Sequence, residues 1–374
     1  MTSSTYRPTY AEIDLSAIRD NVRALAGCTA PAVEKLAVVK ANAYGHGDVE
    51  VARAGLDAGA SRLGVALVEE GVRLREAGID APILVLVEAT PNAAKEIVAQ
   101  DLTPSVFSLP AAEALNDAAT AASKRLRVHV CVDTGMHREG APYEQGLRLV
   151  EDVARLGSLE LEGLWSHFAM GEQEAHPFTA EQIHRFADLC VSVERRGIDV
   201  PVRHLTSSAG IVLFPDAHFD LVRMGIMLYG LHPHPSTASR VAIRPAMRLV
   251  SAVGTARRVT AGEGVSYGHT YAPDHDTTIA TVLIGYGDGF ARLLSNRGAV
   301  LIGGRRRRVA GRVTMDQITV DCGDDGSVGP GDEVVLIGRQ GDDEISAWDW
   351  ATRLDTIAYE IISGISRRVP LDYT

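Results

Sequence analysis

Between about residues 35 and 230, short apolar segments alternate with amphipathic segments of helical periodicity. The strand candidates cover 36–41, 63–67, 83–87, 103–107, 127–133, 161–167, 203–207 and 221–228. The helix candidates between them include 69–77, 111–124, 146–156 and 180–196. About eight strand–helix units within roughly 200 residues predict an α/β fold with a (β/α)8 TIM-like barrel rather than an open doubly wound sheet.

The pattern changes after about residue 240. Turns rich in Gly and Pro separate short β-type segments, and helical periodicity returns only near 346–363. We therefore predict two domains, a barrel over residues 1–240 and a mostly β domain over residues 241–374. The first ten or so residues are also free to pack with the β domain.

Composition narrows the classes of function. The formal net charge of -11 argues against a nucleic-acid partner. The 4 cysteines lie far apart without metal-ligand spacing, so we expect free thiols in a reducing compartment and no metal site. Without a signal-peptide pattern or an apolar run of about 20 residues, we expect a cytoplasmic protein with no membrane partner. The four arginines at 305–308 are expected to form an exposed turn.

The first strand candidate is apolar until it ends on Lys40, and a glycine-rich loop over 41–47 follows it. A lysine at the end of a buried strand is costly unless its amine is used or reaches solvent. One interpretation is a structural lysine whose stem is buried and whose amine lies at the rim. The other is a Schiff-base lysine, whose pKa is lowered by partial burial.

Other strand candidates also end in polar residues, and these ends carry the active site of a (β/α)8 barrel. The polar residues concerned are Asp133, Arg138, Ser166, His167, His204, Ser207, Ser208 and Arg223. Any one could be structural, but a shared location at one end of the barrel favours a site. Ser208, Gly225 and Ile226 follow the seventh and eighth strands, where barrels commonly bind phosphate. A phosphate site beside a strand-end lysine predicts pyridoxal phosphate as the cofactor.

The segment Val38-Val-Lys-Ala-Asn-Ala-Tyr-Gly-His-Gly47 resembles the cofactor signature of the alanine racemase family. Further segments that resemble this family follow in order at 133–138, 166–169, 222–230, 264–271, 285–289, 315–317 and 359–370. Together they span both predicted domains. The resemblance implies a fold-type III pyridoxal-phosphate enzyme, an isomerase that interconverts L-alanine and D-alanine for D-alanine biosynthesis.

The resemblance also implies a homodimer in which each active site combines Lys40 of one chain with Tyr267 of the other, as the two catalytic residues. It assigns the cofactor to Lys40, Tyr44, Arg138, His167, Ser208, Arg223, Gly225, Ile226 and Tyr359, with Arg223 at the pyridine nitrogen and Arg138 at the phenolic oxygen. It assigns substrate binding to Arg138 and Met315, supporting roles to His204, Asp316 and Cys131, and the substrate access corridor to Glu172, Tyr286 and Arg292. An aspartate is usual at the position of Glu172.

These roles agree with the chemistry of racemisation, which needs one base on each face of a planar carbanion. Lys40 can serve one face, and Tyr267 can serve the other if its phenol becomes more acidic than its ordinary pKa of about 10. A cation at the pyridine nitrogen also matters. Because an arginine stays protonated, Arg223 leaves that nitrogen unprotonated, which disfavours transamination as a side reaction.

Three alternatives remain beside this interpretation. A non-racemising relative that binds pyridoxal phosphate would resemble only the barrel, whereas Tyr267, Met315 and Tyr359 lie in the second predicted domain. A decarboxylase would place a carboxylate where this chain has Arg223. A racemase of another small amino acid, such as serine, stays open because the sequence discriminates poorly between small substrates.

One position departs from the family pattern. Alanine racemases commonly carry a carbamylated lysine two residues before the Asp-Thr-Gly segment, and its negative charge orients the arginine at the position of Arg138. This chain has Cys131 there. We expect a bound anion such as chloride, a nearby carboxylate or, less favourably, a Cys131 thiolate to compensate Arg138. Alternatively, Cys131 is only a small strand residue.

Overall fold

The computed structural model describes residues 6–374; the polar residues 1–5 at the N-terminus lie outside the described part. The chain divides into two compact units. The barrel unit comprises Ser16–Ala43 and Asp48–Arg244, and the β unit comprises the described part of Met1–Leu15 together with Tyr44–Gly47 and Pro245–Thr374. Among the described residues, no helix has the length and apolarity needed to cross a bilayer.

The barrel unit contains eight parallel strands, as the alternation predicts. They are Glu34–Val38, Arg62–Val65, Ile83–Val85, Thr103–Val106, Leu126–Asp133, Leu159–Trp165, Val202–His204 and Leu221–Met224. The eighth strand pairs with the first, and the Asp220 N–H donates to Arg203 O at 2.9 Å, which joins the eighth strand to the seventh. These contacts close the sheet into a barrel. A two-residue strand, Ala141–Pro142, pairs beside the fifth.

Helices follow these strands and bury their apolar stripes. Their bounds are Leu15–Ala26, Asp48–Asp57, Val68–Glu76, Ala94–Ala99, Leu109–Ala121, Tyr143–Ala154, Pro177–Arg195, Ser208–Leu213 and Pro235–Ala238. In Tyr143–Ala154 the buried residues are Gly146, Leu149, Val150 and Val153, the spacing of one helix face. Gly146 is required there because a Cβ would lie 2.7 Å from a Val132 methyl on the neighbouring strand.

Seven of the eight predicted strands extend past the observed end, and three of them do so by three or more residues. The first strand ends at Val38, so Lys40 lies just beyond it. The seventh ends at His204, and Ser208 begins a helix. The eighth ends at Met224, because Ile226–Tyr229 forms a 3-10 turn. In each case apolar residues continue past the last paired residue, and apolarity alone does not mark where pairing stops.

A left-handed turn follows Lys40. The φ angles are 52° at Ala41, 55° at Asn42 and 51° at Ala43, and this conformation costs roughly 1–2 kcal/mol for each non-glycine residue. The Glu70 carboxylate accepts the Ala41 N–H at 2.6 Å, and Asn42 Oδ1 accepts the Asp48 N–H at 3.3 Å. The fold thus holds a strained backbone directly beside the candidate lysine, a location typical of functional sites.

Replacing the exposed Ala41 by glycine tests this strain. Glycine adopts a positive φ without a Cβ clash but loses more chain entropy on folding. We therefore expect the free energy of unfolding of Ala41→Gly to stay unchanged or to rise by up to about 1 kcal/mol. The matched control Ala118→Gly, inside the helix Leu109–Ala121, should lower it by about 1 kcal/mol. Equal losses for the two variants in urea titrations would contradict the strain.

The β unit contains one nine-stranded sheet that is mostly antiparallel. Its strands are Tyr10–Ile13, Met247–Val259, Thr277–Val282, Ala299–Ile302, Arg305–Val309, Ile318–Asp321, Glu333–Gln340, Asp343–Ile345 and Leu371–Tyr373. The single parallel pairing among the described strands of this sheet joins Tyr10–Ile13 to Leu371–Tyr373. The predicted helical stretch 346–363 is two helices, Ala347–Leu354 and Ala358–Ser363, separated by Asp355 with a φ of 55°.

The arginine run is not a turn. Arg305–Val309 is a strand that pairs with Ala299–Ile302, and Gly303 and Gly304 form the turn between them. Arg306 pairs with Asp343, and Arg307 pairs with Asp325. Four identical residues give no alternation of polarity, so the strand could not be recognised in the sequence. Carboxylates on neighbouring segments compensate the charges of Arg306 and Arg307.

Candidate active site

Lys40 lies at the carboxyl end of the first barrel strand, in the region that the strand-end rule predicts. Its amine makes no hydrogen bond to any of residues 6–374. Burial, with further contributions from the Arg138 and Arg223 cations, lowers the pKa of Lys40 from its ordinary value, and Glu70 and Glu139 oppose this shift. A half-buried lysine of lowered pKa has the properties of a nucleophile and of a base.

Arg223 is buried in the barrel unit and is held by neutral acceptors. Its Nη1–H donates to His204 Nδ1 at 2.7 Å, and its two Nη2–H groups donate to the Ser166 and Leu205 carbonyl oxygens, each at 2.8 Å, while His167 Nδ1 lies 3.1 Å from Nη2. Its Nε–H has no partner within the described part of the chain. The Nε–H therefore remains as a donor for a ligand. Burial lowers the pKa of Arg223 to about 10, which still leaves it a cation at neutral pH.

Ser208, Gly225 and Ile226 form a small cradle within the barrel unit. The Gly225 and Met227 N–H groups donate to Ser208 Oγ at 2.9 and 3.2 Å. The Ser208 hydroxyl hydrogen thus remains to donate elsewhere. Ile226 begins a 3-10 turn, and the first N–H groups of such a turn lack partners inside it. The Ser208 hydroxyl and the Ile226 N–H can together hold a phosphate group, since the Gly225 and Met227 N–H groups are already donated to Ser208 Oγ.

Arg138 and Cys131 do not contact each other as a charged pair. Arg138 lies exposed in the loop after the fifth strand, and no carboxylate of residues 6–374 is within ion-pair distance of its guanidinium. Cys131 is buried, and burial raises the pKa of its thiol far above the ordinary value. Within residues 6–374 of one chain no carboxylate therefore compensates Arg138, and the raised pKa of Cys131 argues against a thiolate. A bound anion near Arg138 stays a prediction. Glu172 lies exposed in the loop after the sixth strand.

Two predicted phosphate residues lie together in the β unit. The ring centroids of Tyr44 and Tyr359 are 6.1 Å apart, at an interplanar angle of 52°. Tyr44 is buried, with 8% of its surface exposed. The adjacent Gly45 has a φ of 85°, and a Cβ there would lie 2.3 Å from the Ile362 carbonyl oxygen. Glycine is therefore required beside Tyr44.

Tyr267, Tyr286 and Met315 also belong to the β unit, and all three are exposed. The turns that carry Tyr267 and Tyr286 both hydrogen-bond to the segment 312–315. Ser266 Oγ donates to the Arg312 carbonyl at 2.8 Å, and the Tyr286 N–H donates to the Thr314 carbonyl at 2.9 Å. The exposed fractions are 73% for Tyr267, 68% for Leu293, 52% for Met315 and 41% for Tyr286. Arg292 is exposed beside Leu293, and Asp316 pairs with Arg368 at 2.7 Å.

The sequence analysis missed three residues that contact this machinery. Glu70 holds the backbone after Lys40, as described above. His129 and Glu162 are buried in the fifth and sixth strands, and His129 Nδ1 lies 2.9 Å from His204 Nε2. Two signals could have identified them. His129 stands two residues before Cys131 and so faces the same side of its strand, and Glu162 is a charged residue directly before the apolar end of its strand.

Comparisons with known proteins cover both units. The family model of the alanine racemase N-terminal domain matches residues 13–233, and the model of the C-terminal domain matches residues 246–373. The alanine racemase of Symbiobacterium thermophilum is 47% identical over 98% of this chain and 97% of its own length.

Two solved structures show the same similarity. The alanine racemase of a D-cycloserine-producing Streptomyces lavendulae aligns with a TM-score of 0.94 at 41% identity, covering 99% of this chain and 98% of that one. The alanine racemase of Bartonella henselae with covalently bound pyridoxal phosphate aligns with a TM-score of 0.87 at 30% identity, covering 99% of this chain and 100% of that one. Since family models and relatives match along nearly the whole length, the chain belongs to the alanine racemase family.

Proposed function

We propose that this chain is a pyridoxal-phosphate-dependent enzyme that interconverts L-alanine and D-alanine, with Lys40 and Tyr267 of a second copy as its two bases. The observation that carries the proposal is the pairing of two unsatisfied groups at one end of the barrel, the Lys40 amine and the Arg223 Nε–H. These are the groups that a covalently held pyridine cofactor requires. A cytoplasmic location and a role in D-alanine biosynthesis belong to the same proposal.

The residues present fit pyridoxal phosphate. Lys40 would hold its aldehyde carbon, the Arg223 Nε–H its ring nitrogen, and Ser208 with the Gly225–Ile226 backbone its phosphate. Arg138, His167, Tyr44 and Tyr359 would complete the surroundings. When bound, the cofactor withdraws electrons from the α-carbon of the amino acid attached to it and so makes the α-proton acidic.

The chain's own residues then move the proton. Lys40 Nζ removes or returns it on one face of the α-carbon, and Tyr267 Oη does so on the other. Lys40 is suited to this because its pKa is lowered. His167 Nδ1 lies 3.1 Å from Arg223 Nη2, which has no acceptor for a proton there, so the proton of His167 belongs on Nε2, where it can orient a neighbouring group. Arg223 keeps its positive charge and transfers no proton to the ring nitrogen.

The exposure of large side chains in the β unit supports a homodimer. Tyr267, Tyr286, Leu293 and Met315 are exposed, and the turns at 266–267, 286 and 292–295 all hydrogen-bond to the segment 312–315 that carries Met315. An exposed patch of aromatic and large apolar residues is typical of a protein interface. We infer that a second copy of this chain covers it and receives Tyr267, Met315 and Asp316. The substrate access corridor of each site would contain Glu172, Tyr286 and Arg292.

We also propose that the boundary between the barrel domain and the β domain lies near residue 240.

The cofactor assignment is tested by borohydride reduction of the purified yellow protein. Reduction should attach pyridoxal phosphate irreversibly, and peptide mapping should find the label on Lys40. Chiral analysis of incubations with L-alanine and L-serine would identify the substrate in the same preparation. A label on another lysine, or none at all, would refute the assignment. Racemisation of serine without alanine would support the second candidate, a racemase for another small amino acid.

A further inference from the structure

A continuous hydrogen-bond chain crosses the interior of the barrel unit. Arg223 Nη1–H donates to His204 Nδ1 at 2.7 Å, and His204 Nε2 lies 2.9 Å from His129 Nδ1. His129 Nε2 lies 2.9 Å from Glu162 Oε2, and Arg62 Nη1 lies 2.9 Å from that same oxygen. We call these five residues the barrel-core chain. It begins near the carboxyl ends of the strands, at Arg223, and reaches the start of the second strand, at Arg62.

The donors in the barrel-core chain can be arranged in only one way. A guanidinium has donors and no acceptor, so His204 Nδ1 must accept, and the His204 proton is on Nε2. That proton is donated to His129 Nδ1, which places the His129 proton on Nε2, where the Glu162 carboxylate accepts it. Each imidazole is therefore neutral and in a fixed tautomer, and Glu162 is the group that ends the series.

The charges agree with this arrangement. Burial lowers the pKa of His129, and burial together with the Arg223 cation lowers the pKa of His204. Burial alone would raise the pKa of Glu162, but hydrogen bonding from His129 and the positive charge of Arg62 oppose this and lower the pKa. Among the described residues no carboxylate contacts Arg223 directly. Glu162 is thus the anion to which the buried Arg223 cation is connected through two imidazoles.

Packing around the histidines fixes their positions. The sixth strand has an irregular register opposite His129, and Gly163 pairs with it. A Cβ at Gly163 would lie 2.3 Å from His129 Nδ1, so the ring occupies the space that a side chain would fill. The Trp165 ring stacks on His204 with centroids 5.7 Å apart and an interplanar angle of 5°, and Arg223 Cζ lies 4.7 Å from the Trp165 ring. Neither imidazole can rotate without displacing these neighbours.

We propose that Glu162, acting through His129 and His204, is the positioning residue that holds Arg223 in place. By ending the barrel-core chain with an acceptor, it keeps His204 Nδ1 free to accept from Arg223 and leaves the Arg223 Nε–H for the cofactor ring nitrogen. This rests on the proposed function, since the ring nitrogen belongs to pyridoxal phosphate. Without the acceptor, the His129 Nε2–H would be a buried donor without a partner, and the His129 and His204 rings would no longer be held in place beside Arg223.

The tautomers of the wild-type protein provide the first test of the proposal. Solid-state nitrogen-15 spectra of the full-length protein, labelled at histidine, separate protonated from unprotonated ring nitrogens, and His129→Asn and His204→Asn spectra assign the two rings. We expect both rings neutral with the proton on Nε2. A proton on Nδ1 of His204 would overturn the proposal. This measurement does not depend on racemase activity, so its result is distinct from a failure of the proposed function.

Two variants then separate positioning from packing. Glu162→Gln keeps an acceptor oxygen and should retain both tautomers, the absorption spectrum of the bound cofactor and kcat to within about threefold. Glu162→Leu removes the acceptor and should shift the spectrum and lower kcat by about tenfold or more with KM unchanged. The control Glu194→Gln, whose ion pair with Arg203 is exposed, should change neither the spectrum nor kcat. A wild-type spectrum and kcat in Glu162→Leu, or equal losses in both Glu162 variants, would refute the role.

Discussion

Replacing Tyr267 by phenylalanine is expected to lower racemisation in both directions by about 10²–10⁴-fold, the usual contribution of a positioned acid–base group. The cofactor should remain bound, because the Lys40 attachment and the Arg223 contacts lie in the barrel unit. Exchange of the α-proton with deuterated solvent should survive for one enantiomer, since Lys40 still serves its own face. Nuclear magnetic resonance of each enantiomer, incubated separately in deuterium oxide, measures this asymmetry.

The matched control is Tyr271→Phe in the same segment of the β unit. The Tyr271 hydroxyl donates to Asp321, away from the proposed chemistry, and burial with the Asp321 charge raises its pKa to about 12. This variant should racemise at nearly the parent rate and lose only about 1 kcal/mol of stability. Parent-level racemisation by Tyr267→Phe, or equal exchange of both enantiomers, would exclude the two-base scheme.

The fold could be predicted because burial on both faces makes parallel strands recognisable as apolar runs. All eight barrel strands lie within or overlap their predicted segments. The left-handed turn at 41–43 could not be predicted, because Ala-Asn-Ala contains no glycine to mark a positive φ. It depends on Glu70 and Asp48, whose contacts are tertiary. Local propensity therefore fails at the strained segment beside Lys40, where tertiary contacts decide the backbone conformation.

The site could be predicted only where it follows the strand ends. That rule predicted Lys40, His167 and Ser208 as candidates, since a polar residue after a buried strand is visible in the sequence, whereas Arg223 lies within the eighth strand. It did not predict His129 or Glu162, which also lie inside strands, because a polar residue within a strand is more often a satisfied core group or a solvent-facing side chain. Their importance depends on which strands are neighbours, and only the closed barrel supplies that information.

The second prediction with a large expected effect is that two copies of this chain share each active site. Lys40→Ala should show no racemisation and no covalent cofactor, because it removes both the attachment point and one base. Tyr267→Phe should be nearly inactive for the separate reason given above. If each active site takes Lys40 from one copy and Tyr267 from the other, a mixed dimer contains one site with both residues intact and one with neither.

Mixing the two inactive variants should therefore restore activity. After complete subunit exchange, half of the dimers are mixed and half of their sites are intact, so about a quarter of the wild-type activity per site is expected in a symmetric dimer. Exchange is followed independently by native mass spectrometry of one isotopically labelled variant. Sites built within one chain would predict a different result, because every site would then lack one of the two residues whatever its partner. Proven exchange without recovered racemisation would therefore mean that Tyr267 serves its own chain, and the exposed patch around it would need another explanation.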